Sequence, residues 1–117
     1  MAKFAFVLNK SPFVGEYIET LYGLACAALK KGHKVFIYLN NDAVYGSIKN
    51  QIGLNGEKTP KEMLNELTQH GAEVMCSRIH MQARGFNTSK TFLEGLKTGG
   101  LSDLSEILSD YDKVVSL

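Results

Sequence analysis

Ala72-Glu73-Val74-Met75-Cys76-Ser77-Arg78-Ile79-His80-Met81-Gln82-Ala83-Arg84-Gly85 is the stretch on which the fold turns. Val74 and Met75 form a short apolar run that ends in Cys76 and passes directly into a segment with helical spacing. A strand that feeds a helix is the repeating unit of an α/β sheet. On a helix beginning here, Cys76, His80 and Arg84 stand four residues apart and share a face. The same stretch therefore proposes both an architecture and a line of thiol, imidazole and guanidinium.

Working outward, the residues before it read as a helix with a complete start signal. Thr59 is the N-cap, Pro60 takes the first helical position and Glu62 closes a capping box, with Met63, Leu64 and Leu67 on one side and Gly71 as the stop. Before that, Phe4-Ala5-Phe6-Val7-Leu8 is continuously apolar, as suits a strand covered on both faces. Glu16 to Lys31 carries Ile18, Tyr22 and Cys26 at i+4 steps beside Leu21, Ala25 and Leu29, a helical stripe ended by Gly32. Lys34 to Leu39 is a second strand, which completes a βαβ unit within about 40 residues. Asn40-Asn41-Asp42 caps a short helical segment from Ala43 to Ile48, and Asn50 to Lys58 reads as the most mobile loop. Beyond Gly85, Leu96-Lys97 suggests a short fourth strand. Gly99-Gly100 turns into a helix capped by Ser102, and Val114 to Leu117 closes the chain as a strand. The expectation is one domain, residues 1–117, built as a three-layer α/β/α sandwich around a mostly parallel five-stranded sheet. In such a sheet ligands sit outside the carboxyl ends of the strands, so Asn9 to Phe13, Asn40 to Asp42 and Cys76 to Arg78 are expected to share one rim.

Composition narrows the function classes. The 117 residues carry a formal net charge of +1, so no basic excess points to nucleic acid. No run approaches the roughly 18 apolar residues of a membrane span, and the N-terminal apolar run lacks the length and cleavage site of a secretory signal. A cytoplasmic protein is expected. Cys26 and Cys76 are the two cysteines, too few for a disulfide framework, and are read as reduced thiols.

Cys76 is the leading nucleophile candidate. At a helix start, the dipole and free N–H groups favour thiolate over thiol. The same position suits a small hydrophobe that ends a buried strand, since free cysteine is among the most buried residue types. His80 is placed to exchange a proton with Cys76, and Arg78 and Arg84 to hold a persulfide or other anion. Against this, a helix-spaced histidine is often a surface group, and arginines near a helix end often only complement its dipole. Cys26, mid-helix on the apolar stripe, reads as core. No metal site is expected, because the cysteines and histidines form no CxxC pair and no zinc-ligand spacing. No cofactor is expected either, since GxGxxG and GxxxxGK[ST] are both absent, although the fold class also hosts nucleotide and flavin binders.

Several pieces of the chain, in order, resemble the DsrE/DsrF-like family, which includes the TusD-type sulfur carriers. They are Ala25-Cys26-Ala27-Ala28-Leu29-Lys30-Lys31-Gly32-His33-Lys34-Val35, Asp42-Ala43-Val44-Tyr45, Gly71-Ala72-Glu73-Val74 with Cys76 and Ala83-Arg84-Gly85, Gly99-Gly100-Leu101-Ser102-Asp103-Leu104 and Asp112-Lys113-Val114-Val115. The resemblance implies a five-stranded parallel sheet, assembly into trimers or hexamers, and sulfur relay between donor and acceptor proteins as a persulfide on Cys76. It also departs from the pattern: His80 stands where relatives often carry a second cysteine, and Cys76 is offset by about a residue from Arg84-Gly85. Some members lack the cysteine and serve as non-catalytic subunits. Two readings follow, a persulfide carrier and an oligomeric binding subunit in which Cys76 is structural.

Overall fold

The computed structural model describes residues 1–93 and 95–117. Strand β1 (Lys3–Leu8) leads through α1 (Tyr17–Lys30) to β2 (Lys34–Leu39). A 3-10 segment, Asn41–Ser47, and a short turn, Leu54–Gly56, precede α2 (Pro60–Gln69). Then come β3 (Glu73–Ser77), α3 (Arg78–Ala83), β4 (Lys97–Gly99), α4 (Leu101–Leu108) and β5 (Lys113–Ser116). Every strand pairing is parallel, in the order β4-β3-β2-β1-β5. The expected five-stranded sandwich is therefore the architecture, with its sheet entirely parallel.

The period-2 alternation of each strand divides the core in two. Phe6, Leu8, Val35, Ile37, Leu39, Val74 and Cys76 face α1, α2 and the Asn41–Ser47 segment. Ala5, Phe36, Tyr38 and Met75 face the other way, against Leu104, Ile107 and Leu108 of α4. Burial on both faces explains why β1 and β2 are unbroken apolar runs.

The helix signals hold in most places. Thr59 Oγ1 accepts from the Glu62 N–H at 3.1 Å, and Pro60 occupies the first turn. Gly32 stops α1 in a left-handed conformation, φ +81°, that a side chain would resist. The expected Ser102 cap is corrected. Helix α4 begins two residues earlier, because the Asp103 carboxylate reaches back to accept from the Gly100 N–H at 2.8 Å, making Gly100 the cap. The loop expected to be mobile is tied at both ends. Gln51 donates to the carbonyls of Gly46 and Ile48 and accepts from the Lys61 N–H. Lys58 donates to Glu66 at 2.6 Å and to the Tyr22 hydroxyl at 3.0 Å.

Candidate functional site at the carboxyl ends of the strands

The chain leaves β1 at Asn9 and β2 at Asn40, and parallel register places these residues side by side. Asn40 Nδ2 donates to Asn9 Oδ1 at 2.9 Å, and Asn9 Nδ2 donates in turn to Ser116 Oγ and the Leu117 carbonyl. The Asn40 Oδ1 atom is buried, with no partner among the described residues. Asn41 then turns through a left-handed conformation, φ +51°, which asparagine accepts more readily than most residues. A cleft beside this turn is lined by Lys10, Ser11, Val14, Tyr17, Asn41 and Arg84. The rim expected from parallel topology is thus present, and Asn9, Asn40 and Asp42 stand on it.

Cys76 does not. It is the fourth residue of β3, paired on one side with Leu39 and on the other with Thr98, so it lies inside the sheet. Parity turns its side chain toward the α1–α2 face, where its exposure is 0% among Leu39, Ala43, Val44 and Met81. Desolvation pushes the thiol up from 9.0 to about 12, with the nearby Ser47 hydroxyl pulling weakly the other way. The expectation of a thiol lowered by a helix start is therefore corrected. Helix α3 begins two residues later, at Arg78, and its N-terminus is not what the sulfur sees.

The proposed Cys-His-Arg line is also broken, since Cys76 is in a strand. His80 and Arg84 do stay together on α3, but they act on another partner. The Asn41 N–H donates to His80 Nδ1 at 3.0 Å, which assigns the histidine proton to Nε2. Arg84 donates to Asp42 Oδ1 from both Nε and Nη2, at 2.9 and 2.8 Å, and from Nη1 to the His80 carbonyl at 3.1 Å. Arg78 is exposed at the start of α3, beside Gln82 and Thr98. The sequence placed Asp42 on the rim but not its pairing with Arg84, and it missed Ser47. Asp42 lies 42 positions from its arginine, and no local spacing connects them. Ser47 lies within the Ala43 to Ile48 segment, which the sequence marks only as a short capped helical piece.

A family model described as the DsrE/DsrF-like family matches residues 2–117. The chain belongs to this family. Membership of the DsrE/DsrF-like family carries a general theme of sulfur relay. Among relatives, the chain is 28% identical to an uncharacterized protein of Methanocaldococcus jannaschii, MJ0989, over 97% of this chain and 98% of that one. Among solved structures it is similar to the ychN protein from E. coli, with a TM-score of 0.85, 25% identity and full coverage of both chains. It shares its fold with a protein of unknown function, MTH1491, from Methanobacterium thermoautotrophicum, at a TM-score of 0.79, 10% identity and full coverage of both. Among the described residues, no helix of this DsrE/DsrF-like chain is long and apolar enough to cross a membrane.

Proposed function

We propose that this protein is a binding subunit of a sulfur relay, which offers its carboxyl-end rim to a protein partner and uses Cys76 as a packing group. One observation carries the reading: the Cys76 sulfur has no exposed surface, and burial pushes its thiol up to about 12. Persulfide exchange proceeds through an accessible thiolate, and this environment opposes both conditions. The rim supports a protein partner. Phe13, Val14, Ile79 and Leu101 are between 57% and 74% exposed at or just beyond the strand ends, more apolar surface than a solvent-facing edge needs. The partner is another copy of the chain, in a trimer or hexamer, or a sulfur donor or acceptor protein.

A second reading keeps Cys76 as the carrier, with His80 managing its proton and Arg78 and Arg84 holding the persulfide anion. Its support is the position of Cys76 one residue from the carboxyl end of a central strand. It requires the Asn41–Ser47 segment to move. Loading with a sulfane-sulfur donor, followed by peptide mass analysis, separates the two. The binding-subunit reading expects no added sulfur atom on the Cys76 peptide of the native protein. A Cys76 peptide that gains one sulfur, with loading lost in Cys76→Ser, would replace it with the carrier reading.

A further inference from the structure

We infer that the groove between α1 and α2 is a thiol–disulfide exchange site, in which Cys26 is the nucleophile, His70 its base, and the substrate a small disulfide that carries a carboxylate. This goes beyond the binding-subunit reading, which concerns Cys76 and the rim and uses none of these residues.

The groove encloses about 220 Å³. Helix α1 gives it Tyr22, Cys26 and Lys30, spaced one turn apart along one face, and α2 with its cap gives it Glu66, Leu67 and His70. The stripe that reads as core in the sequence therefore turns its thiol toward an opening. Cys26 is free and half-buried, whereas its neighbour Ala25 has no exposed surface. On the opposite wall, His70 Nδ1 lies 2.8 Å from the Glu66 carbonyl oxygen, an atom that only accepts. The ring proton is thereby fixed on Nδ1, and the neutral ring keeps the Nε2 lone pair for a proton arriving from the groove. The Glu66 carboxylate is already paired, accepting from the Tyr22 hydroxyl at 2.7 Å and from Lys58 at 2.6 Å. Lys30 makes no salt bridge among the described residues, so it is the cation that the groove offers to a ligand. A small cavity with apolar walls and a few convergent polar groups is the usual form of a small-molecule site. Here the polar groups are a thiol, a base and a cation, which together select an acid bearing a sulfur–sulfur bond.

In the exchange, His70 Nε2 takes the Cys26 proton and the thiolate attacks one sulfur of the disulfide. The new bond to Cys26 Sγ forms as the substrate's S–S bond breaks, and the departing thiolate leaves with the bonding pair and recovers the proton from His70. Cys26 is oxidised to a mixed disulfide and half of the substrate is reduced to a thiol, so no further oxidant enters.

The test uses the native chain with dithiodiglycolate, an acidic disulfide, and cystamine, a cationic one, and follows mixed-disulfide formation on the Cys26 peptide by mass. With dithiodiglycolate near pH 7, Cys26 should react about tenfold faster in the native protein than in urea, and His70→Gln should remove that advantage. Near pH 9 the thiol ionises unaided, so the same variant should lose much less. Lys30→Gln should lower the preference for dithiodiglycolate over cystamine about threefold, the scale of an exposed ion pair. Both substituted side chains are exposed, so neither change threatens the fold. A native rate no faster than the rate in urea, a His70→Gln rate equal to the wild type near pH 7, or an unchanged preference in Lys30→Gln would overturn the site. The Cys76 peptide of the same digest bears on the binding-subunit reading alone, so the two fail separately.

Discussion

At the scale of single residues, the chemistry of Cys76 is decided by which way one side chain points. Residues 74 and 76 face the α1–α2 core, and Met75 faces α4. A shift of one register position would have turned the thiol to the other face. Burial has a measurable consequence at high pH. The unfolded thiol ionises near its ordinary value of 9.0, whereas the folded thiol keeps its proton to about 12. The stabilising contribution is therefore whole below pH 9 and is lost as pH rises toward 12, by at most about 1.4 kcal/mol per pH unit. Urea unfolding across this range should show a steeper alkaline loss in the wild type than in Cys76→Ala. Equal slopes would mean that the sulfur is not buried as described. The presence of a thiol near a strand end was legible in the sequence. Its environment was not, because the cover over it comes from residues about thirty positions earlier.

At the scale of elements, the sequence was most readable where one local rule acts alone. The α2 start joins a cap, a proline and a glutamate within four residues; the cap and the proline act as expected, while the Glu62 carboxylate accepts from the Thr59 hydroxyl at 3.2 Å instead of closing the box on the backbone. Thr59→Ala should lower stability by about 1 kcal/mol in urea unfolding without changing the slope of the transition. A loss near zero would show that Pro60 and Glu62 set the helix start without the threonine. Where two rules competed, the reading slipped. Ser102 is a good cap by type, but Asp103 as the third helical residue satisfies the Gly100 N–H and draws the start of α4 back. The start of the Asn41–Ser47 segment reads as a capped helical piece, yet it is tied to Arg84 and His80 by contacts that no periodicity reports. The i, i+4 pairing of His80 with Arg84 was real, and only its target was different.

At the scale of the molecule, the parallel sheet gathers Asn9, Asn40 and Asp42 on one rim and sinks Cys76 beneath it. The gathering followed from topology alone, since parallel strands put their carboxyl ends together. The closure did not, because it needs β2, β3, α2 and α3 to meet the same short segment. The rim should also govern association. Ile79 and Leu101 each stand two residues beyond the paired Ser77 and Gly99, and both are well exposed. Sedimentation should find the wild type as an oligomer and the double variant Ile79→Glu with Leu101→Glu shifted toward the single chain. Unchanged sedimentation would remove these residues from the interface.

The most direct test of a closed, unionised Cys76 is the pH profile of its alkylation by iodoacetamide in the native protein, read on its own peptide. The rate should stay far below that of the same thiol in urea, with no inflection at or below the ordinary value of 9.0. A fast rate that levels off below that pH would reveal an accessible thiolate and contradict the account.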